Sequence, residues 1–360
     1  MIFDRSKPYN QLAPLPPIDL LETREVLKKA IQAHTALAEL KHVGSLLPNQ
    51  SVLIQTLGLQ EAKLSSEIEN IVTTDDDLYR AYSEHDPQLT AGTKEVLNYP
   101  TALWHGFSAL KDKKRLMTPA LFEEICQILK GNTSGVRKVN GTKLTNAAGE
   151  TIYTPPQGES LIREKLDQLV NFIYTHEELD PLVKLALIHY QFEAIHPFHD
   201  GNGRTGRIIN ILYLVQCGLL DLPILYLSRY FLQNRLAYYQ GFTRVTEEGK
   251  WIEWVSLMLD AVIHTAKGTQ QRIFAIHELM QTTSRRVKAL LPRMYSKDLI
   301  EIIFQRPYCK IRFIEEAGIA HRDTASNYLK KLEELSILRG VKAGREKYYM
   351  NDAFIELLAK

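Results

Sequence analysis

One twelve-residue stretch, HPFHDGNGRTGR from His196 to Arg207, brings together imidazole, carboxylate and guanidinium groups. Pro197 and the Gly-Asn-Gly triplet interrupt two apolar helical patterns, so we expect a tight loop that leads into a helix. The first turn of a helix has backbone amides without intrahelical partners and a partial positive charge, and glycine lets these amides approach an anion closely. The stretch therefore predicts a phosphate-binding loop.

The side chains of this loop suit a triphosphate with a metal ion. Arg204 and Arg207 are three residues apart and leave one face of the new helix, where two guanidinium groups can bind more than one phosphate. Asp200 adds the hard oxygen ligand that Mg²⁺ takes beside substrate phosphates. His196 can accept a proton near neutral pH. We therefore predict a triphosphate site with a general base at its edge.

Two buried helices are expected to position the loop. Residues 181–195 have the apolar recurrence of a buried helix, and Asp180 stands where a residue would cap its first turn. Apolar residues resume at Ile208 and continue to Gly218, which predicts the helix that the loop enters.

The loop matches every fixed position of the motif HxFx(D/E)GNGRxxR and thereby resembles Fic-domain proteins, which commonly transfer AMP from ATP to a protein hydroxyl. A chance match of these eight positions has a probability on the order of 10⁻¹⁰ per starting point. The resemblance implies that His196 takes the proton from a target Ser, Thr or Tyr as its oxygen attacks the α-phosphate. It also implies that Asp200 binds Mg²⁺. Phe198 is interpreted as an apolar anchor of the loop.

The resemblance also implies contacts with the phosphates of ATP. Gly201, Asn202 and Gly203 would hold the α- and β-phosphates through backbone amides and the Asn202 side chain. Arg204 and Arg207 would neutralise the β- and γ-phosphates and the pyrophosphate leaving group. Gly203 favours AMP transfer over phosphate transfer, because a phosphorylating relative carries a bulky lysine at this position.

A second stretch, Ser65–Asn70, lies in a helix predicted over about 50–71. Taken alone, it is typical of the polar face of an amphipathic helix. It fits (S/T)xxxE(G/N), the inhibitory motif of the Fic family, and the resemblance implies that Glu69 pairs with Arg207. A carboxylate there competes with the γ-phosphate for the arginine and repels the triphosphate. We therefore expect autoinhibition through Glu69, with Ser65 as the first residue of the motif.

Residues 131–158 are rich in Gly, Asn, Thr and Pro. Residues 136–144 face Thr151–Tyr153 across the turn-forming segment 146–149, which predicts a β-hairpin that ends at Pro155–Pro156. The alternative is a surface loop. The resemblance implies a flap whose exposed edge pairs with an extended segment of the target protein, or of this chain itself.

Residues 222–243 contain several tyrosines that could simply belong to the core. The resemblance implies that this region contributes to the nucleoside pocket, and it favours Asn234 and Tyr239 there. From Trp251, apolar residues predict a buried helix that continues as a connecting helix to about Leu291.

The C-terminal segment has the order helix, helix, turn, helix and two β-prone stretches, which is a winged-helix pattern. Ala325, Leu329, Leu332 and Leu335 form its predicted buried stripe. Basic and amide side chains stand where a DNA-contacting face would be: Arg322, Asn327, Lys330, Lys331, Lys342, Arg345 and Lys347. Because the segment carries 12 basic and 10 acidic residues, both DNA and protein stay open as its partner.

The predicted fold class is mostly α: a Fic-type helical core with a β-hairpin flap and a C-terminal winged-helix domain. An N-terminal arm with Pro8, Pro14, Pro16 and Pro17 precedes a helix that Asp19 would cap. The predicted divisions are an N-terminal helical region with the inhibitory helix (1–88), the Fic core (89–265), a connecting helix (266–293) and the winged helix (294–360).

Composition sets the remaining expectations. The chain has 360 residues, a net charge of +2 and three cysteines without a CxxC pair. We expect reduced core cysteines in a cytoplasmic protein, without a signal peptide or a membrane span. A homodimer is a candidate assembly.

Two alternative functions stay open. The first is removal of AMP, or both activities in one enzyme, with Glu69 positioning a water molecule. The second is a DNA-binding regulator in which the winged helix acts and the Fic-type core senses a nucleotide. An intact His196, Gly203 and Arg207 favour AMP transfer over the regulator.

Overall fold

The computed structural model describes residues 3–15, 21–44, 50–83, 90–111, 114–145, 149–343 and 346–359. Some predicted features lie outside these ranges: Pro16, Pro17, Asp19, the hairpin turn at 146–148, and Arg345. The described residues form two compact units. The first contains Met1–Lys41, Leu64–Ile71 and Asn98–Lys267, and the second contains His42–Lys63, Val72–Leu97 and Gly268–Lys360. The predicted four-part division stays a prediction.

Helices dominate the described residues, and the strands among them are short. The helices are α1 (Arg24–Gly44), α2 (Gln50–Ile68), α3 (Asp75–Ser83), α4 (Ala91–Lys111), α5 (Pro119–Lys130), α6 (Glu159–Tyr174), α7 (Pro181–Ile195), α8 (Asn202–Gln216), α9 (Ser228–Gln233), α10 (Arg235–Glu248), α11 (Trp251–Leu290), α12 (Lys297–Gln305), α13 (Ile311–Glu316), α14 (Arg322–Glu334) and α15 (Asp352–Ala359). The strands are β1 (Leu144–Thr145), β2 (Thr151–Tyr153), β3 (Tyr308–Cys309), β4 (Arg339–Ala343) and β5 (Glu346–Met350). The predicted fold class, mostly α with small antiparallel sheets, is confirmed.

The central pair of the first unit is α7 and α8. Asp180 caps α7 as predicted, because its side chain accepts a hydrogen bond of 2.8 Å from the Leu182 amide. Every residue of α7 after Pro181 is buried, which explains its near-continuous apolar sequence. Gly206 of α8 lets the two helices approach closely, since a Cβ there would lie 2.5 Å from Oε1 of Glu193.

The predicted hairpin is present but shorter than expected. Strands β1 and β2 are antiparallel, with Leu144 opposite Tyr153 and an irregularity next to it. The prediction was wrong for four residues that lie outside the strands: Val136, Lys138, Val139 and Lys143. Val136 is instead buried in the core. The backbone of β2 continues into contact with the N-terminal arm, where the Tyr9 amide donates to the Thr154 carbonyl at 2.9 Å.

Threonine hydroxyl groups cap the starts of α1 and α3. Helix α1 begins at Arg24 rather than at the residue after Asp19, and the Thr23 hydroxyl accepts from the Val26 amide at 3.3 Å. The first turn of α3 is acidic, with Asp75, Asp76 and Asp77. Acidic residues stabilise a helix N-terminus, and the Thr74 hydroxyl caps this one by accepting from the Asp77 amide.

The C-terminal part of the second unit follows the predicted element order, with two additions. Strand β3 joins the sheet in the order β3-β5-β4, and α15 follows the last strand. Within this unit, Tyr308 of β3 donates to Asp76 at 2.6 Å and stacks on Tyr79. Ala325, Leu329 and Leu332 are buried as predicted, whereas Leu335 is partly exposed.

The cysteines and the membrane prediction can also be compared with the structure. Cys126 and Cys309 are buried free thiols, but Cys217 is exposed, which corrects its assignment to the core. Among the described residues, no helix combines the length and the apolar character that crossing a bilayer requires.

Candidate functional site

His196 stands at the junction between α7 and the predicted phosphate loop. It ends α7 in the left-handed region, with φ 48° and ψ 60°, and its amide donates to the Phe192 carbonyl. Burial and the nearby Arg137 lower the pKa of His196, and Glu69, the Glu193 carbonyl and Asp200 raise it, with a net result of about 4. The imidazole is therefore neutral at pH 7 and able to accept a proton.

The side chain of Asn202 closes the loop by bonding to the loop's own backbone. Asn202 accepts from the Phe198 amide through Oδ1 and donates to the Phe198 carbonyl through Nδ2, both at 2.8 Å. The side chain of Asn202 therefore fastens the loop, and its predicted contact with phosphate stays a prediction. Phe198 is buried, as its interpretation as an anchor requires. Gly201 adopts φ 83° immediately before α8, a conformation that favours glycine.

Asp200 is the carboxylate at this loop. Its Oδ1 accepts from the Gly201 amide at 2.6 Å and from Arg204 at 3.5 Å, while Oδ2 accepts from Lys130 at 2.5 Å. Burial raises the pKa of Asp200. The hydrogen bond and charge of Lys130 and the charge of Arg204 lower it by more, so the net shift of the pKa is downward. The side chain is 59% exposed and ionised, and thus accessible to a cation.

The end of helix α2 belongs to the same site. The prediction extended this helix to Ile71, but α2 ends at Ile68 because Asn70 adopts the left-handed conformation with φ 60°. The Asn70 amide donates to the Glu67 carbonyl and the Ile71 amide to the Ser66 carbonyl, the pattern of a Schellman motif. The last position of the matched motif requires Gly or Asn because its backbone is left-handed. Glu69, one residue earlier, occupies the C-cap position.

Two arginines satisfy the other carbonyls at this helix end. Nη2 of Arg207 donates to the Ser65 carbonyl at 2.8 Å, and Nη2 of Arg235 donates to the Ile68 carbonyl at 3.0 Å. Arg235 also reaches Oδ1 of Asn70 at 3.3 Å. Because the C-terminus of a helix carries a partial negative charge, both guanidinium groups are favourably placed.

Glu69 and Arg207 form the predicted pair. Nη2 of Arg207 donates to Oε1 of Glu69 at 3.0 Å, and Nε donates to Oγ of Ser65 at 2.7 Å. Burial lowers the pKa of Arg207, but the charges of Glu69 and Glu193 raise it by more, so the pKa lies above its ordinary value. A Cβ on Gly203 would lie 2.2 Å from Oε1 of Glu69. The carboxylate therefore occupies the space that the missing side chain of Gly203 leaves above the first turn of α8.

The predicted nucleoside residues lie at the start of α10. Asn234 separates α9 from α10, and its Nδ2 donates to the Tyr230 carbonyl at 2.9 Å. Tyr239 is half-buried, with the guanidinium of Arg235 at 5.8 Å from its ring centre. Burial, followed by the charge of Glu69, raises the pKa of Tyr239. Tyr239 is therefore close to the Glu69 carboxylate.

Four residues of this region were not predicted from the sequence: Lys130, Arg137, Glu193 and Arg235. Burial raises the pKa of Glu193 to about 8, although Arg207 opposes this shift. Glu193 could have been found, because a charged residue within a mostly apolar, buried helix requires a buried partner. Arg137 and Arg235 act on backbone carbonyls of distant segments, for which the sequence has no local pattern.

Among the described residues, no three His, Cys, Asp or Glu side chains form a metal-binding cluster. An Mg²⁺ ion held through one carboxylate takes its other ligands from substrate phosphates and water. The exposed Asp200 beside the buried Arg204 and Arg207 fits that arrangement.

Three family models match successive parts of the chain. They are the Fic/DOC family N-terminal region over residues 27–108, the Fic/DOC family over 116–214, and the C-terminal domain of SoFic-like protein adenylyltransferases over 279–354. The Fic/DOC match contains the whole loop from His196 to Arg207.

Similar proteins are known from bacteria and animals. A probable protein adenylyltransferase of Aquifex aeolicus is 24% identical over 308 residues, which cover 79% of this chain and 92% of that protein. The protein adenylyltransferase fic-1 of Caenorhabditis elegans is 32% identical over 89 residues, 24% of this chain and 17% of that protein. The crystal structure of a Fic family protein from Desulfovibrio desulfuricans has the same fold, with a TM-score of 0.58, 18% identity, and coverage of 94% of this chain and 98% of that one. With its N-terminal, central and C-terminal matches in this order, the chain belongs to the Fic/DOC family.

Proposed function

We propose that the protein is an adenylyltransferase that transfers AMP from ATP to a hydroxyl side chain of a target protein or of itself. The observation that carries this proposal is the neutral imidazole of His196 at the edge of a glycine loop that leads into the buried Arg204 and Arg207. The protein adenylyltransferases among its relatives support it.

The reaction follows from these groups. The hydroxyl oxygen of the target attacks the α-phosphorus, the bond from that phosphorus to the β-bridging oxygen breaks, and pyrophosphate leaves. His196 accepts the hydroxyl proton, a contribution of about 10² to 10⁴ in rate. Arg204 and Arg207, with the amides of Gly201, Asn202 and Gly203, stabilise the phosphates and the leaving group.

Asp200 is the proposed ligand of Mg²⁺. A bound Mg²⁺ ion supplies charge neutralisation for the phosphates. Asp200 would exchange its bond to Lys130 for this ion.

Glu69 is proposed to hold this site inactive. Its Oε1 occupies the space at Gly203 and bonds Arg207, so it competes with phosphate for the same helix turn and the same guanidinium group. Phosphates displaced by this carboxylate are misaligned for in-line attack, and a displacement of about 1 Å can cost a hundredfold in rate. Ser65 supports the inhibitory contact through its bond to Arg207.

Target binding and the nucleoside pocket complete the proposal. The hairpin β1–β2 is the proposed flap that pairs with an extended target segment. Asn234 and Tyr239 are the proposed nucleoside residues. Cytoplasmic localisation and a homodimer are proposed with them.

Two other functions remain candidates. Removal of AMP is favoured by the position of Glu69, whose carboxylate is 34% exposed and whose charge acts on His196, so that it could orient a water molecule. For the C-terminal segment, a winged helix that contacts DNA is a candidate because Arg322, Asn327 and Lys330 are exposed on α14. Acidic neighbours weaken this face, since Glu333 pairs with Lys347.

The proposed activity is tested with ATP labelled at the α- or the γ-phosphate, added to a lysate with wild type, Glu69→Gly or Glu67→Gly. Glu67 lies in the last turn of α2, and glycine there weakens the helix end without removing the Glu69 carboxylate. We expect label from the α-position only, increased on the order of a hundredfold by Glu69→Gly and far less by Glu67→Gly.

Other outcomes would replace the proposal. Label retained from the γ-position alone means phosphate transfer. If Glu69→Gly loses the ability to remove AMP from a modified target and never labels one, then Glu69 is catalytic and AMP removal is the function. Protein that shifts DNA but transfers no label favours the regulator.

A further inference from the structure

Arg137 is an arginine deep inside the first unit that contacts the end of α7. Its side chain is 1% exposed. Nε donates to the His196 carbonyl at 2.8 Å, and Nη2 donates to the Ile195 carbonyl at 3.4 Å. The backbone amide of Arg137 donates to the Pro197 carbonyl at 2.9 Å. One residue therefore binds three consecutive carbonyls around the proposed general base.

The same guanidinium group reaches the segment after the hairpin. Nη2 of Arg137 also donates to the Pro156 carbonyl, three residues beyond the end of β2. Arg137 thus joins the segment that leaves the hairpin to the loop that carries His196. Both attachments use backbone carbonyls as acceptors.

The charge of Arg137 has no carboxylate partner among the described residues, and burial lowers its pKa. An arginine remains charged in a protein even so. Its negative counterpart is the C-terminal end of α7, where the last carbonyls carry the partial negative charge of the helix. A buried charge that is balanced only by a helix end is costly to retain, which favours a functional reason for it over one of stability.

His196 needs such support for its backbone. A left-handed conformation is unfavourable for a residue with a Cβ, and it persists where surrounding contacts determine it. The groups that act on its ring are Glu69, Asp200, Arg137 and the Glu193 carbonyl, and Arg137 is the cation among them that opposes protonation. The hydrogen bonds of Arg137 hold the His196 backbone in place, and its charge favours the neutral imidazole.

We propose that Arg137 is the positioning residue of the active site, which fixes His196 in its left-handed turn and aligns the hairpin exit with it. This inference rests on the proposed function, in which His196 is the general base. Arg137 does not touch the substrate, because it is enclosed behind the loop.

Arg137→Met and Arg137→Lys separate the two contributions. Methionine removes both the charge and the hydrogen bonds, whereas lysine keeps the charge but lacks the planar fork that spans several carbonyls. Arg163→Met is the matched control, because Arg163 is partly exposed and pairs with Glu123 and Glu159 away from the loop. The ring titration of His196 is followed by NMR in the full-length protein, with His196→Ala to assign its signal. AMP transfer is measured in the Glu69→Gly background.

We expect Arg137→Met to raise the pKa of His196 by about half a unit and to lower transfer on the order of a hundredfold, with ATP affinity unchanged. Arg137→Lys should keep the low pKa and recover part of the transfer rate. Arg163→Met should change neither quantity. If Arg137→Met does not fold, a tenfold or larger loss of transfer in Arg137→Lys with an unchanged His196 titration supports the inference.

A His196 titration and a transfer rate that match those of Arg163→Met in both Arg137 variants would overturn it. The titration also separates this inference from the proposed function. If no variant transfers AMP while the pKa of His196 still responds to Arg137→Met, the positioning holds and the adenylyltransferase proposal fails.

Discussion

Two helix ends meet at the candidate site, and arginines bind the terminal carbonyls of both. Helix α7 ends just before His196, which is left-handed and whose carbonyl accepts from Arg137. Helix α2 ends two residues before the left-handed Asn70, and its last carbonyls accept from Arg207 and Arg235. The first end carries the proposed base, and the second carries the proposed inhibitory acid. Similar backbone chemistry therefore serves opposite purposes in one site.

The two ends differ in how firmly they are held. Arg137 is enclosed and binds only carbonyls, so nothing from solvent can compete for it. Arg207 shares its hydrogen bonds between the Ser65 carbonyl and a carboxylate that is 34% exposed. A phosphate can replace that carboxylate on the same guanidinium group. The proposed base is therefore fixed, whereas the proposed inhibitory carboxylate is held by contacts that a substrate phosphate can take over.

The largest expected effect comes from removing the base at the fixed end. His196→Ala, made in the Glu69→Gly background, should lower AMP transfer by about 10² to 10⁴, because it removes the proposed proton acceptor. Transfer of α-labelled AMP and calorimetric ATP binding provide the two readouts. Full transfer with unchanged ATP affinity would show that another group accepts the proton.

Loosening the C-terminal end of α2 should raise AMP transfer rather than lower it. Arg235→Met removes the bonds to the Ile68 carbonyl and to Asn70, so the last turn of α2 should release Glu69 more often and raise transfer on the order of tenfold. Arg244→Met on the same helix is the control, since Arg244 pairs with Glu248 and Glu253. Because Arg235 also lies beside Tyr239, ATP affinity must be measured with the rate. A fall in transfer that follows a loss of ATP affinity would assign Arg235 to the nucleoside pocket instead.

A smaller effect is expected from the turn that follows Glu69. Asn70→Ala should raise basal transfer by about fivefold, because a left-handed backbone costs alanine on the order of 1 kcal/mol more than it costs glycine or asparagine. Asn70→Gly should leave transfer near the wild-type level. Equal rates for the two variants would show that this turn does not hold the carboxylate in place.

The smallest effect concerns stability rather than rate, at Glu193, which lies between the two ends. Burial raises its pKa to about 8 from an ordinary value of 4.5, so the folded protein retains a proton that the unfolded chain loses between these values. Its contribution to the free energy of unfolding is present at low pH and is lost as the pH rises toward 8. Urea unfolding at pH 5 and pH 8 should therefore differ less in Glu193→Gln than in wild type. An identical pH dependence in both proteins would show that Glu193 is ionised in the fold.

The sequence predicted the site best where function and local structure use the same residues. Pro197, Gly201 and the apolar helices on both sides determine the loop locally, so its position and that of Asp180 could be derived. The end of α2 was placed three residues too late, because a left-handed asparagine and a helical one look alike in a sequence. Arg137 could not be assigned at all, since its partners are carbonyls 58 and 59 positions away. The bonds of the Asn202 side chain to the Phe198 backbone were not predicted, because the motif does not show that the loop fastens itself.

The position of Glu69 after the last helical residue of α2 has a consequence for kinetics. The ends of helices open locally at a small fraction of the free energy that global unfolding requires. Under the proposed inhibition by Glu69, the resting activity is set by the population in which one turn is open. Each change of about 1.4 kcal/mol in that local equilibrium then alters the active fraction tenfold. Such openings occur within microseconds to seconds. The basal rate of this protein can therefore be adjusted over orders of magnitude by substitutions in a single helix turn, with little change in its melting temperature.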